Sequence, residues 1–584
     1  MIPTGYSRRD FILSSAVALT TLHIAAAQQT QSSSAAPSPD IGPQPDSASG
    51  PAIDPHIIED AERLAGITFT PAERQMMSHT IAEQVQMIRS RQKVSAFPNS
   101  LSPMFTFDPR LPGMSFSKPE FAPEWSQKDP GPIPTDDVDI AFAPLTSLSY
   151  WLRTRQISSE RLTRIYLDRL KTIGPKLEAV ITLTEDLAMG QARNADREIQ
   201  GSRWRGPLHG VPWGAKDLLD TAGIATTWGA EPYRNRVPDQ DASVVTLLAN
   251  AGAVLVAKLS LGALAYDNIW FGGKTRNPWN LRQGPSGSSA GPAAATAAGL
   301  VGFSIGSETL GSIVSPCMRC GTTGLRPTFG RVSRGGAMAL SWTMDKLGPI
   351  TRTVEDAMMV LSAINNTARD PRDPASLAVP LRFRASTSAR GLRVGYDPAW
   401  FKSDPANDLD RATLAQLSRT GVNLSEIELP DWPYDALLTI LFCEAAAAFE
   451  DLTRTNLDDS LTWQEPQAWP NTFRQSWFIP GIELIQAFRF RRQVCQMMAD
   501  LFSAYKIDAI IAPSFAASLL TITNNTGHPS LTLRTGFLQD SSDEPETPHG
   551  ITLIGNLFDE ATLCRIGMEL EHQLQVWNRR PSLV

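Results

Sequence analysis

The chain can bury a large core, since it has 584 residues of which 42% are hydrophobic. Its 60 acidic and 53 basic side chains give a formal charge of −7, which argues against nucleic acid or an anionic membrane surface as a partner. The odd number of cysteines, 5, argues against a complete disulfide framework.

Residues 1–27 have the features of a twin-arginine-type signal peptide. Ser7-Arg8-Arg9-Asp10-Phe11-Ile12-Leu13 contains the paired arginines, an apolar run extends to Ala27, and Ala25-Ala26-Ala27 offers a cleavage site. The run is too short and too interrupted for a membrane span, so we expect no integral membrane segment in the mature chain. We therefore predict a bacterial periplasmic or secreted protein. The alternative is an unrelated pair of arginines in a basic N-terminus.

The sequence of residues 28–140 predicts an N-terminal extension that precedes the main domain. Residues 28–55 are rich in Ser, Pro, Ala and Gln without periodicity, which indicates a disordered linker. Residues 56–140 predict a helical hairpin, whose second helix Thr70 can cap, followed by a proline-rich segment that wraps over the surface.

Alternating strand and helix patterns begin near Phe142. Predicted strands are Val180–Leu183, Gly210–Asp217, Val254–Ala257, Leu392–Tyr396 and Ile507–Ala512, and predicted helices include 187–199, 242–250, 353–364 and 482–505. This alternation predicts a single large α/β domain over residues 141–584, with a central mixed sheet covered by helices on both sides.

A stretch rich in Gly, Ala and Ser, from Gly284 to Gly324, is the candidate for the chemistry. Its glycines allow backbone N–H groups to approach a ligand closely. Residues 287–291 match the G-x-S-x-G nucleophile elbow with Ser289 as the nucleophile, but that elbow must follow a buried strand. Residues 277–285 are polar and broken by proline. We therefore reject the elbow.

A serine nucleophile needs a base, and lysine is the better candidate. None of the 7 histidines lies in the serine-rich stretch, although a partner need only be close in space. Lys216 lies near the end of a short apolar strand, where lost hydration lowers the pKa of a lysine toward that of a general base. Lys258, after another predicted strand, is the rival. The alternative to a catalytic role is that the Lys216 side chain extends its charged end to the protein surface.

Three segments resemble the motifs of the amidase signature family, serine amide hydrolases with a Ser–cis-Ser–Lys triad. They are GVPWGAKDLLDTAG, GPSGSSAG and GSETLGSIVSPCMRCGTTGLRPTFGRVS, and the similarity extends from about Phe142 to near the C-terminus. The resemblance implies that Lys216 is the base, Ser288 the serine after a cis peptide bond at Gly287–Ser288, and Ser312 the nucleophile.

The resemblance also implies a mechanism. Ser312 attacks the amide carbonyl, Ser288 relays its proton to a neutral Lys216, and water later releases the acyl-enzyme. The oxyanion is held by backbone N–H groups of the nucleophile loop, namely those of Thr309, Leu310, Gly311 and Ser312. The family usually has glycine where this chain has Leu310, so we expect an ordinary negative φ there and an altered substrate preference.

Further positions are assigned to the pocket with alternatives left open. Ser289 and Cys317 are expected near the oxyanion and substrate, and Trp342 and the 267–279 loop are expected to shape the pocket. Cys317 and Cys320 form a C-x-x-C motif, but the sequence lacks the second cysteine pair that a zinc site needs. The two cysteines are therefore either a redox pair or simply buried. His528 lies in a segment that resembles one near the family's substrate cleft, and a structural turn position is the alternative.

The leading prediction is an exported amidase that hydrolyses a small-molecule amide to an acid plus ammonia or an amine. We predict no cofactor and no metal, and a homodimer stays open. One alternative is the glutaminase (A-type) subunit of a tRNA-dependent amidotransferase, whose tRNA and ATP an exported protein would not meet. The other is a non-catalytic binding protein on an amidase scaffold, which the complete set of triad residues disfavours.

Overall fold

The computed structural model describes residues 53–93, 97–114, 122–126, 129–539 and 543–583. The predicted signal peptide and nearly all of the predicted linker therefore lie outside the described residues. The described chain forms two compact units. The smaller contains residues 53–60 and 69–93, and the larger contains residues 61–68 and the described residues from 97 onward.

Both helices predicted for the N-terminal extension are present, as α1 (Pro55–Ala65) and α2 (Pro71–Gln92). Thr70 caps α2, as expected. Its hydroxyl accepts the backbone N–H of Glu73, and the Glu73 carboxylate accepts the backbone N–H of Thr70, which is a capping box. Pro71 suits the first helical position, because it has no N–H that would need a partner there.

The larger unit alternates helices and strands along most of its length. Its helices are α3 (Asp137–Phe142), α4 (Leu145–Arg153), α5 (Ser159–Thr172), α6 (Gly174–Leu177), α7 (Glu185–Gln200), α8 (Ser243–Asn250), α9 (Ala290–Ala297), α10 (Val314–Cys320), α11 (Val354–Ile364), α12 (Asp408–Arg419), α13 (Leu438–Ala448), α14 (Glu450–Arg454), α15 (Trp469–Ser476), α16 (Gly481–Ala504), α17 (Leu519–Thr526) and α18 (Glu560–Leu574). Its strands are β1 (Val180–Leu183), β2 (Pro212–Lys216), β3 (Val254–Leu259), β4 (Ile269–Trp270), β5 (Gly273–Lys274), β6 (Phe303–Glu308), β7 (Thr323–Arg326), β8 (Lys346–Thr351), β9 (Arg393–Tyr396), β10 (Asn423–Glu426), β11 (Ala509–Pro513), β12 (Ser530–Leu538) and β13 (Thr547–Gly555).

Eleven of these strands form one mixed sheet in the described chain, in the order β1-β3-β2-β6-β8-β7-β12-β13-β11-β9-β10. Strands β3, β2 and β6 run parallel, as do β11, β9 and β10, whereas β8, β7, β12 and β13 pair antiparallel with their neighbours. The sheet confirms the predicted α/β class. The neighbouring strands β3, β2, β6 and β8 are buried along their whole length, as expected for a sheet covered on both faces.

The helix α9 brings the serine-rich turn against the centre of this sheet. Every residue of α9 is buried, and its small side chains allow close packing on β6. The hydroxyls of Thr296 on α9 and Ser304 on β6 lie 2.8 Å apart. The turn that precedes α9 is therefore held beside the end of β6, where the nucleophile loop begins.

The described parts of residues 97–140 are irregular until α3, in agreement with their proline-rich sequence. Asn99 anchors this segment to the rest of the larger unit, since its side chain exchanges two hydrogen bonds with the backbone of Ala339, at 2.8 and 2.7 Å. None of the helices in the described residues combines the length and apolar character needed to cross a bilayer.

Candidate active site

Two neighbouring parallel strands place the candidate base beside the serine turns. Lys216 is the last residue of β2, and Ser307 and Glu308 are the last residues of β6. Because β2 and β6 pair in parallel, their carboxyl ends lie at the same edge of the sheet. The motifs that the sequence separates are therefore adjacent here.

Lys216 is fully buried, and its amine is surrounded by hydroxyl groups. Its Nζ lies 2.8 Å from Ser288 Oγ, 3.0 Å from Ser289 Oγ and 2.8 Å from Ser307 Oγ. In the described chain, no carboxylate forms an ion pair with it. A neutral amine has two N–H donors and one lone pair, so it can donate to two of these hydroxyls and accept from the third.

Burial lowers the pKa of the Lys216 ammonium well below its ordinary value of 10.5, and Asp345 and Glu308 offset only part of this effect. The site thus favours an uncharged amine, the form that can accept a proton. The direct contact with Ser288 gives that proton a path.

The turn before Ser288 has the geometry that the resemblance implied, since the Gly287–Ser288 peptide bond is cis. Glycine is required at position 287, because a Cβ there would lie 1.8 Å from the backbone oxygen of Asp267. The hydroxyl of Ser315 donates to that of Ser286 at 2.7 Å, which ties this turn to α10.

Ser289 connects the two serine turns and is fully buried. Its hydroxyl donates to the backbone oxygen of Ser307 at 3.0 Å and accepts the backbone N–H of Ser307 at 3.1 Å. Its own N–H donates to the backbone oxygen of Ser312 at 3.2 Å. No strand precedes it, in agreement with rejection of the elbow. These contacts make Ser289 a brace for the site, since they join the end of β6 and the backbone of Ser312 to the serine turn.

The loop that carries Ser312 is held by Glu308, which sequence reasoning did not identify. The Glu308 carboxylate accepts the backbone N–H groups of Ile313 and Val314 at 2.7 and 2.9 Å, and it accepts from Arg326 at 2.5 Å. Burial alone would raise the pKa of Glu308, but Arg326 and these N–H groups lower it to about 2. The sequence feature that could have identified Glu308 is an acidic residue at the end of a strand.

Gly311 and Thr309 complete the loop. Gly311 has φ of +82°, a conformation that favours glycine, and a Cβ there would meet Leu520 at 2.9 Å. The Thr309 hydroxyl donates to the Asp345 carboxylate at 2.5 Å, and burial raises the pKa of Asp345. Leu310 does not have a positive φ, as expected, and it packs partly buried against the core.

A cavity opens beside this loop. Its lining includes Ser307, Thr309, Trp342 and Asp345, and its volume is about 50 Å³. Trp342 lines this cavity, as does Thr309 of the nucleophile loop, whereas Lys216, Ser288 and Ser312 do not. The expectation that Trp342 shapes the substrate pocket stays a prediction.

Cys317 lies in a small buried cluster next to the nucleophile loop, and its expected place near the substrate stays a prediction. Its thiol is fully buried and packs with Ile313 and Ile350, and it does not line the cavity. Burial raises its pKa to about 12, so the thiolate is disfavoured. Cys317 and Cys320 are both free thiols in this structure. The structure therefore supports the alternative of simple burial for this pair.

The rival lysine has a different environment. Lys258 Nζ lies 2.9 Å from the Asp217 carboxylate, and both side chains are fully buried. Burial lowers the pKa of Lys258, while Asp217 opposes this shift and stabilises the charged form. Lys258 is thus a buried ion-pair partner, which explains why a second lysine at the sheet edge is not the candidate base.

His528 is also structural. Its Nδ1 lies 2.7 Å from the Thr526 hydroxyl, and its ring stacks on Phe502. Burial, with a contribution from Arg326, lowers its pKa to about 3. Across the described residues, no group of three or more His, Cys, Asp or Glu side chains is arranged to hold a metal ion.

Comparison with known proteins shows the family of this chain. The family model described as Amidase matches residues 161–523. The A-type subunit of the glutamyl-tRNA(Gln) amidotransferase of Moorella thermoacetica is 31% identical over 499 residues, which cover 76% of this chain and 99% of that protein. The crystal structure of peptide amidase from Stenotrophomonas maltophilia superimposes with a TM-score of 0.67 at 30% identity, over 75% of this chain and 98% of that one. A bacterial aryl acylamidase shares the fold, with a TM-score of 0.66 at 22% identity over 75% and 98% of the two chains.

The chain therefore belongs to the amidase family. It is a hydrolase that acts on carbon–nitrogen bonds of amides.

Proposed function

We propose that this protein hydrolyses a carboxylic amide through an acyl-enzyme on Ser312, with Lys216 as the base and Ser288 as the relay. The observation that carries this proposal is the buried contact of 2.8 Å between Lys216 Nζ and Ser288 Oγ, with no carboxylate paired to the amine in the described chain. Such an amine can take up a proton, and a charged, ion-paired lysine cannot.

In the proposed acylation step, a proton passes from Ser312 to Lys216 through Ser288 and later returns by the same route to the leaving nitrogen. The Ser312 oxygen forms a bond to the amide carbon while its proton passes to Ser288, whose own proton passes to Lys216. The carbonyl oxygen becomes an oxyanion, held by backbone N–H groups of Thr309, Leu310, Gly311 and Ser312. When the carbon–nitrogen bond breaks, Lys216 returns its proton through Ser288 to the leaving nitrogen.

Deacylation uses the same groups. A water molecule attacks the ester carbon, its proton passes through Ser288 to Lys216, and the proton then returns to Ser312 as the acid leaves. Amide hydrolysis consumes one water and yields an acid plus ammonia or an amine. The oxyanion loop is supported for this role by Glu308, which accepts two N–H groups directly after Ser312.

A panel of amides tests the proposal. Peptide amides and aryl acylamides come first, because solved relatives carry these names. We expect purified protein to release acid and amine from at least one of them, and the Ser312→Ala variant to release none above background. Turnover that survives unchanged in Ser312→Ala would exclude Ser312 as the nucleophile.

A glutaminase is the second candidate, since the curated relatives of 31% identity are named as A-type subunits of an amidotransferase. That function predicts hydrolysis of free glutamine and association with partner subunits. The amidase proposal predicts that peptide or aryl amides are turned over faster than glutamine. Including glutamine in the same panel decides between them.

We also propose that the protein is exported through the twin-arginine motif. The support is the sequence of residues 1–27 alone. Fractionation of cells that express the full chain should find the wild type outside the cytoplasm and an Arg8→Lys, Arg9→Lys variant inside it. Equal distribution of the two would contradict export by this route.

A further inference from the structure

A separate cavity, of about 140 Å³, is lined by an unusual number of arginines. It shares no lining residue with the cavity beside Thr309. Four arginines line it, namely Arg352, Arg534, Arg579 and Arg580. The single acidic lining residue is Asp139, which already pairs with Arg580 at 2.7 Å. This excess of positive charge stands out in a chain of formal charge −7.

Two of these arginines are buried without a charged partner. Arg352 is 9% exposed and Arg534 is 8% exposed, and neither forms an ion pair in the described part of the chain. The Nε of each is buried and has no hydrogen-bond partner among the described residues. A buried charge is costly unless an opposite charge compensates it.

Backbone oxygens satisfy only some of the donors on these two side chains. Arg352 donates to the oxygens of Val301 and Ala143 at 2.8 and 3.1 Å. Arg534 donates to the backbone oxygens of Trp577 and Arg579. Carbonyl dipoles accept these hydrogen bonds, but they leave the net charge of the cavity unchanged.

The neighbouring guanidinium groups add to the positive potential, and the buried carboxyl groups of Glu571, near Arg534, and Asp356, near Arg352, offset part of it. Burial, together with Arg579, lowers the pKa of Arg534 to about 10, and Glu571 opposes this shift. The pKa of nearby Arg169 is also lowered, by burial and by Arg352 and Arg580. Part of each shift comes from guanidinium groups that repel one another, and an anion between them would relieve that repulsion.

We infer that this cavity binds a small oxyanion such as inorganic phosphate or sulfate. An oxyanion presents several acceptor oxygens, which match the forked donors of arginine. The volume is many times the roughly 15 Å³ that one water needs. Since residues 577–580 form one wall, a bound anion would join the C-terminal segment to β12 and to Arg352, which directly follows β8.

Calorimetric titration of the full chain with phosphate, at an ionic strength held constant with chloride, tests this inference. We expect saturable binding and a rise in the unfolding midpoint of about 2–5 °C relative to chloride. Arg534→Gln should weaken binding about tenfold or more, since it removes charge-assisted hydrogen bonds. Sulfate should bind in the same way.

Arg579→Gln provides a variant that keeps the fold, because this cavity residue is about half exposed and its ion pair with Glu546 lies at the surface. It should weaken phosphate binding several-fold. Arg193→Gln, at an exposed helix position, is the control and should bind like the wild type. Equal effects of phosphate and chloride on the wild type would overturn the inference. Wild-type phosphate affinity in both Arg534→Gln and Arg579→Gln would overturn it as well.

Discussion

Replacing Lys216 by Met should separate its chemical role from its packing. Methionine fills a similar volume but cannot accept a proton. We expect the variant to fold and to lose about 10²–10⁴-fold in kcat/KM for amide hydrolysis, the usual contribution of a positioned acid–base group.

The charge state of Lys216 also predicts a dependence of stability on pH. Because burial lowers the pKa of Lys216 below its ordinary 10.5, folding releases a proton wherever the pH lies between the folded pKa and 10.5. In that range the unfolded state binds more protons, so the free energy of unfolding rises with pH, by about 1.4 kcal/mol per unit. Above pH 10.5 the lysine is neutral in both states and does not affect the stability. As the pH falls below 10.5, keeping Lys216 neutral in the folded protein costs increasing free energy. Lys216→Met has no such cost.

Urea unfolding of both proteins at pH 7.5, 8.5 and 9.5 measures this difference. The wild type should gain stability with pH more steeply than Lys216→Met. Parallel dependences would mean that Lys216 keeps its proton in the folded protein, which would refute the neutral base. Lys258→Met should lower the free energy of unfolding by about 3–5 kcal/mol, because it leaves the buried Asp217 carboxylate without its charged partner.

Two further substitutions test the supports of the site. Glu308→Gln leaves buried Arg326 without its charged partner and should lower the free energy of unfolding by about 3–5 kcal/mol at neutral pH. Since the pKa of Glu308 is lowered from 4.5 to about 2, its contribution is present above pH 4.5 and is lost toward pH 2, so urea midpoints of variant and wild type should converge in acid. Gly287→Ala should abolish amide hydrolysis or prevent folding, because its Cβ would overlap the Asp267 oxygen at 1.8 Å. Gly190→Ala, in a helix with open space around it, should keep full activity, and equal activity of the two alanine variants would contradict this expectation.

Local patterns predicted many elements of the fold. The strand Val180–Leu183 was predicted with its observed limits, and the helix predicted at 482–505 is Gly481–Ala504. Both have apolar periodicity within one segment, and turn residues bound them. The strand order could not be predicted in this way. Strand β8 lies between β6 and β7, and β11 lies between β13 and β9, because these pairings depend on contacts between distant parts of the chain.

Some residues of the candidate site could likewise be predicted from local patterns, and others depend on contacts between distant parts of the chain. Lys216 and Ser288 stand in recognisable motifs, and the structure places them in contact. The supports come from far away in sequence, since Asp345 is 36 residues from Thr309, so no local pattern indicated it. The burial of Cys317 follows from its spacing in the sequence. It lies four residues after Ile313, on the same side of one helical turn, and therefore faces the core with it.

The central claim is that Ser312 is a nucleophile activated through Ser288 by an uncharged Lys216. Covalent labelling with a fluorophosphonate, followed by mass spectrometry of the digested protein, tests it most directly. We expect one adduct, on Ser312, formed at least about 10²-fold more slowly in Lys216→Met and in Ser288→Ala. Wild-type protein that stays unlabelled, an adduct on another residue, or unchanged labelling rates in both variants would contradict the claim.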